Sequence, residues 1–385
     1  MMKIHEQVFL SLVRNSLWNA HIEVPAEFKD WNLVMFLAET QAMQGSIAKA
    51  LLENPLVLNK IKPGMLAKIR NVLMSNVIMH SAANSALQVL VISLRNAGIE
   101  CVLLKGQGLA ANYAHPELRE CGDIDLYVGV ENYSRSYEVL KNVVDEIDDV
   151  SVLKGRGKHY HAKYSDISVE VHKYSEVMPS SYFDKMYQGY ASDGLSQNLV
   201  CMEFGDTKVM TPADSFNTFY VFNHLWSHFL SVGAGLRQVC DWAMLLHTRG
   251  ANVDKEYLLK VLTEMKLLKP WKTFGCIAVD FLGLSPDEVP FYDLKYRNKA
   301  KMVFDYIIAE GDLGRETEFI RIPTRGYLRE KVFSMKFYFK RFMRLIKLFP
   351  YHASIQLKHS ILDGIGLLFK DFIVFLQVRK LKINN

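Results

Sequence analysis

The sequence predicts a mixed α+β fold, a small mixed α/β sheet set between helical regions. Three observations carry this. Apolar residues recur at helical spacing through residues 1–97 and again from about 212 onward. Between them lie short apolar or alternating runs bounded by glycines, which read as strands. These runs follow the order strand, helix, strand, helix and then paired strands, the order of a compact α/β unit. The expected organisation is an N-terminal helical region over 1–97, a core over 98–210, a helical domain over 211–320 and a basic C-terminal helical region over 321–385.

Each element has its own signal. Leu33, Phe36, Leu37 and Ile47 set a helical period over Trp31–Leu52. Pro63-Gly64 breaks the chain, and Met65–Asn96 then runs as one long helix with few breakers. Ile99–Leu104 is a buried strand between Gly98 and Lys105-Gly106, and Gln107–Tyr113 a short helix opened by that turn. Asp123–Val130 is the second strand and Tyr133–Val144 an amphipathic helix. Lys158–Tyr164 and Ile167–His172 pair as strands around Ser165-Asp166. Helices follow at Phe216–Leu230, Leu236–His247, Lys255–Lys266, Trp271–Leu282, Leu294–Ala309 and Arg325–Leu348. No internal repeat or low-complexity tract occurs.

The 385 residues are half hydrophobic and ordinarily charged, which excludes a disordered polypeptide and allows large cores. Five dispersed cysteines without a Cys-x-x-Cys pair suggest reduced thiols and a cytoplasmic setting. The N-terminus lacks a basic region followed by an apolar run, so no signal peptide is expected. No run of about 18 apolar residues is free of charge, so no spanning helix is expected; Ile361–Val378 comes nearest and is broken by Asp363, Lys370 and Asp371. Net charge is +5, unevenly placed: 321–385 holds 14 Lys/Arg against 3 Asp/Glu, while the rest is acidic. Lys336 to Lys347 forms a basic, aromatic-rich helix. Residues 325–348 could pack their aromatics in a core behind a solvated basic face, or bind an anionic membrane surface with the protein peripheral to it, and nucleic acid ranks last.

The most informative stretch is Gly122-Asp123-Ile124-Asp125-Leu126. Strand side chains alternate, so both carboxylates share a face while Ile124 and Leu126 enter a core. Like charges so close repel unless a cation neutralises them. Carboxylates are hard ligands suited to Mg²⁺, which recruits phosphates. Asp166-Ile-Ser-Val-Glu-Val-His172 alternates likewise, and Glu170 on its polar face would supply the third carboxylate of a two-metal site. Upstream, the Lys105-Gly106-Gln107 turn at a strand end would let backbone N–H groups approach a phosphate, with Lys105 as a point charge. Arg119, four residues before Asp123, could hold a phosphate, pair with the acidic cluster or be a surface arginine.

Leu104-Lys105-Gly106, Tyr113-x-x-Pro116-x-x-Arg119, Gly122-Asp123-Ile124-Asp125-Leu126 and Val169-Glu170-Val171-His172 carry a resemblance. With His224-x-x-x-His228, Gly235-x-Arg237 and Asp241-Trp242, they resemble the uncharacterised bacterial nucleotidyltransferase family of the DNA polymerase β-like superfamily. The resemblance covers about residues 85–250, in order. It implies a polymerase β-like core, two Mg²⁺ ions (Mn²⁺ as a substitute) and a nucleoside triphosphate as substrate. It gives the metal-binding and catalytic roles to Asp123, Asp125 and Glu170. By matching positions it gives nucleotide contact to Lys105 and Gly106. Gln107, Arg119, Gly122 and His172, the last beside a metal carboxylate, are further candidates for the nucleotide-binding set from their own positions. The turn departs from the superfamily's glycine followed by glycine or serine, and Lys105 would substitute. The acceptor, whether small molecule, polysaccharide precursor or protein, is not implied.

Two other constellations stand apart. His159 and His161, two positions apart on one strand face, could form a zinc site with His172, but the sequence offers neither an obvious fourth ligand nor a cysteine cluster. His224 and His228 lie one turn apart without the glutamate of a zinc-protease helix and read as a helix-interface pair. Arg237 and Asp241 share a helix face at i, i+4. The expected function is Mg²⁺-dependent nucleotidyl transfer. The alternative is a nucleotide-binding or scaffold protein that has kept the fold and lost turnover.

Overall fold

A computed structural model describes residues 2–155, 157–311 and 339–361. The N-terminal helices are α1 (Ile4–Trp18), α2 (Trp31–Thr40), α3 (Gln44–Leu52), α4 (Pro55–Leu58) and the 34-residue α5 (Pro63–Asn96). The expected helix over Trp31–Leu52 is thus two, because Ala42 takes a positive φ of 53° between them. Pro63 opens α5 at its first turn, where its missing N–H costs nothing.

The central region runs β1 (Val102–Leu103), α6 (Gln107–Ala110), β2 (Asp123–Tyr127), α7 (Gly129–Leu140), β3 (Glu146–Ile147), β4 (His159–Tyr164), β5 (Ile167–His172), α8 (Ser181–Gly194), β6 (Val200–Phe204) and β7 (Thr207–Thr211). The strands form one seven-stranded mixed sheet in the order β3-β4-β5-β2-β1-β7-β6. β2 is parallel to β5 and antiparallel to β1, which in turn is parallel to β7. Ser165 and Asp166 both take positive φ (47° and 67°), so β4 and β5 join through a two-residue type I′ turn. The strand expected over Asp123–Val130 stops at Tyr127, because Gly129 at φ 75° turns the chain into α7.

The sheet's two faces differ. Ile124, Leu126, Val169 and Val171 are fully buried on the back, against Leu87, Leu90 and Leu94 of α5 and Tyr133, Tyr137 and Leu140 of α7. By length and composition α5 could cross a membrane, yet Ala83, Leu87, Leu90, Val91 and Leu94 bury in this core. The front carries the acidic side chains and meets the helices that follow.

Those helices are α9 (Asp214–Ser231), α10 (Leu236–Arg249), α11 (Lys255–Glu264), α12 (Leu268–Ile277) and α13 (Arg297–Glu310). They share one large apolar core with α1–α3, so segments distant in sequence bury each other. Residues 339–348 and 350–361 are also helical. Leu345, Leu348 and Phe349 enter this core, and Arg341 is buried, its Nε donating to the Leu230 carbonyl (3.1 Å) while its guanidinium pairs with Glu310. The expected helix over Arg325–Leu348 and the basic stretch 321–385 otherwise lie outside the described residues, as does most of Ile361–Val378.

Candidate functional site

Parallel pairing of β2 with β5 builds the site. The register sets Asp123 beside Ser168, Asp125 beside Glu170 and Tyr127 beside His172. All six side chains therefore line one face. Asp125 is fully buried, and its Oδ1 receives Lys105 Nζ at 3.0 Å and His172 Nε2 at 3.0 Å. His172 Nε2 also lies 3.3 Å from Glu170 Oε2. One ligand atom each from Asp125, Glu170 and His172 falls within 4.8 Å of the others. Asp123 adjoins this group on β2 without entering it.

Electrostatics reveal a surplus of negative charge. The Asp125 charge, with burial adding to it, pushes the Asp123 carboxyl up to about 6. Burial also opposes ionisation of Asp125, but Lys105 and the His172 bond outweigh it and hold that carboxyl well below the usual range. For Glu170 burial opposes ionisation as well, and the His172 bond lowers it on balance. Desolvation disfavours the charged form of His172, but its bonds to Asp125 and Glu170 raise its pKa. Asp125 Oδ2 is buried without a hydrogen-bond partner. A buried carboxylate oxygen left unpaired, amid three carboxylates, fits a hard divalent cation. Asp123, Asp125 and Glu170 could hold one.

The turn after β1 approaches this face. Gly106 has φ 56°, and a Cβ there would sit 2.9 Å from the Asp123 carbonyl, so only glycine fits. The cleft is lined by Lys105, Gly106, Gly122, Asp123, Asp125 and Arg119 on the sheet side, and by His224, Arg237 and Asp241 from α9 and α10. Burial, with Lys105 close by, pushes His224 down to about 3, so its ring is neutral. Gln107 is 1% exposed, and neither amide atom finds a partner.

Arg119 occupies a different position from the acidic strand pair. It is buried and makes a two-bond fork to Asp241 of α10, Nε to Oδ1 at 2.7 Å and Nη2 to Oδ2 at 2.8 Å. The Tyr113 hydroxyl donates to the same Oδ1 at 2.8 Å. The Tyr113-to-Arg119 spacing thus serves to lock the loop before β2 onto α10. Arg237 donates to the Glu120 carbonyl at 2.8 Å and ties the same loop. Sequence reasoning set Asp241 against Arg237 on its own helix and missed the longer reach to Arg119. It also separated His159 and His161 from the acidic motif, although His159 Nδ1 lies 3.2 Å from Glu170 Oε2. The signal was there: β4 and β5 pair antiparallel about a two-residue turn, which puts His161 opposite Glu170.

A search of curated proteins and one of solved structures return no match. A family model described as uncharacterised nucleotidyltransferase matches residues 27–283. That span contains every residue of the site and reaches from α2 through α12. With the match covering about two thirds of its length, the chain belongs to this uncharacterised nucleotidyltransferase family.

Proposed function

We propose that the chain is a Mg²⁺-dependent nucleotidyltransferase on a polymerase β-like core. It would move a nucleoside monophosphate from a nucleoside triphosphate to an acceptor hydroxyl or phosphate, releasing pyrophosphate. The observation that carries this is the β2–β5 register, which sets Glu170 beside Asp125 on the face that also holds Asp123. These three residues would hold two Mg²⁺ ions, or Mn²⁺, which when bound neutralise triphosphate charge and activate the acceptor. Lys105, at the cleft wall, offers a cation to the triphosphate. Gly106 lets the backbone approach it. His172 orients Asp125 and Glu170 through its one shared nitrogen. The acceptor class is a small molecule, a polysaccharide precursor or a protein. The acidic charge of residues 1–320 weighs against nucleic acid.

The test is Mg²⁺–triphosphate thermal stabilisation together with pyrophosphate release. Both are expected in the wild type, and both are lost in Asp123→Ala/Asp125→Ala. A wild type responding to neither would end the proposal. One observation favours a second reading, nucleotide binding without turnover. The cleft is narrow, about 60 Å³, and Lys105 is seated on Asp125. Triphosphate binding with no pyrophosphate release on any acceptor would select it. For partners, exposed Phe339, Lys340, Met343 and Lys347 form a basic, apolar face that suits an anionic membrane from the cytoplasmic side.

A further inference from the structure

We propose that His159, His161 and Glu170 form a second metal site, for a nitrogen-preferring transition ion of the zinc class, with Glu170 shared with the carboxylate site. The polar face of the sheet does not end at β5. In the β4–β5 register His161 stands opposite Glu170 and His159 opposite His172. One ligand atom each from His159, His161 and Glu170 lies within 4.8 Å of the others. The two imidazoles meet Nε2 to Nε2 at 3.2 Å. An ion bound about 2.1 Å from each nitrogen would see them about 100° apart, between octahedral and tetrahedral angles. His159 Nδ1 approaches Glu170 Oε2 at 3.2 Å without the alignment of a hydrogen bond, and so stays a buried nitrogen lacking a partner.

The ligand chemistry separates the two sites. Mg²⁺ takes oxygen and keeps its waters, whereas paired imidazoles select zinc, iron, nickel or copper. Two histidines and a carboxylate with open positions are a ligand set that zinc accepts. Glu170 then stands between oxygen donors on β2 and nitrogen donors on β4, able to bridge them. The site needs none of the transfer chemistry.

The experiment uses the full chain, stripped with a chelator and titrated with Co²⁺ in excess Mg²⁺. Ligand-field absorption is followed, and Zn²⁺ is then added as competitor. One equivalent of Co²⁺ with visible bands is expected, displaced by Zn²⁺ and not by Mg²⁺. His161→Ala should weaken binding at least about tenfold. Its ring is 55% exposed, so this variant keeps the fold. His159→Ala/His161→Ala should abolish the bands; if it fails to fold by circular dichroism, His161→Ala carries the test. Absence of bands in the wild type, or unchanged affinity in His161→Ala, overturns the site. Mg²⁺–triphosphate stabilisation is scored separately, and its absence bears on the transfer reading alone.

Discussion

Replacing Lys105 by Met would test how the acidic face is held together without a divalent ion. Met keeps most of the side-chain volume and removes the charge. Lys105 Nζ sits 3.0 Å from Asp125 Oδ1, with the side chains 14% and 0% exposed. Losing one partner of such a buried pair typically costs about 3–5 kcal/mol, because the remaining charge is stranded. Here His172 still reaches the same oxygen at 3.0 Å, so the lower end applies. At about 1–2 °C per kcal/mol for a chain this long, Tm should fall by about 3–8 °C in chelator. Lys105 holds the Asp125 carboxyl below its ordinary range, so the pair's contribution is present above about pH 4 and fades as acid protonates Asp125 in the folded chain. The gap between variant and wild type should shrink accordingly in strong acid. A Mg²⁺ series followed by thermal melting supplies the second arm. The divalent ion replaces the missing charge, so Mg²⁺ should raise the variant's Tm more than the wild type's. A variant melting with the wild type in chelator, or equal gains from Mg²⁺ in both, would refute the reasoning.

Other consequences follow from the same geometry. Asp123 is raised to about 6, above its unfolded value, so the folded chain holds the extra proton between about pH 4 and 6 and loses stability as pH rises through that window. Mg²⁺ should therefore raise Tm more at pH 7 than at pH 5, and Asp123→Asn should flatten that difference. Arg119→Met should cost about 3–5 kcal/mol in denaturant unfolding, since the buried Asp241 loses both bonds of the fork; a cost under about 1 kcal/mol would deny the lock. Gly106→Ala should destabilise by about 1–3 kcal/mol through its positive φ and the Asp123 carbonyl. Gly122→Ala meets nothing within 4 Å and should leave Tm unchanged, so any loss of triphosphate affinity in it reports direct approach of phosphate to that backbone. Removing the C-terminal segment would unseat Leu345, Leu348 and Phe349 from the core. Membrane contact is better tested by flotating Lys340→Glu/Lys347→Glu on anionic vesicles, where loss of binding with unchanged melting is expected.

Much of this was legible in the chain because period-two alternation leaves few options. Ile124, Leu126, Val169 and Val171 can only face a core, which forces Asp123, Asp125 and Glu170 to the other side. The long α5 and the β4–β5 hairpin were equally plain. The β6–β7 hairpin was overlooked although its signal is present: Val200, Met202 and Phe204 alternate, and Gly205 at φ 56° opens a two-residue turn with Asp206. Helix α8 was missed because Ser181–Gly194 buries only Tyr187, Ala191 and Gly194. Arg119–Asp241 spans 122 positions, and nothing local distinguishes it from two surface charges. Pairings of that reach are set by how α10 docks on the sheet, which no window of sequence contains.

The site's dependence on register ties its chemistry to the apolar back of the sheet. A slip of one residue between β2 and β5 would turn Asp125 or Glu170 toward Leu87, Leu90 and Tyr137, and would carry Val169 and Val171 to the polar face. A one-residue slip therefore costs the core and the site together. Shortening Val169 or Val171, both fully buried, should therefore loosen divalent-ion binding although neither side chain reaches the cleft. Val→Ala at either position leaves a cavity and costs about 1–3 kcal/mol. That loss falls on the strand pair that aligns Asp125 with Glu170, so affinity for Mn²⁺ should drop with stability in these variants. Equal losses placed in the separate core around Trp242 and Trp271 should leave metal affinity untouched. Metal binding that tracked global stability alone, whichever core was cut, would show that the register does not govern the site.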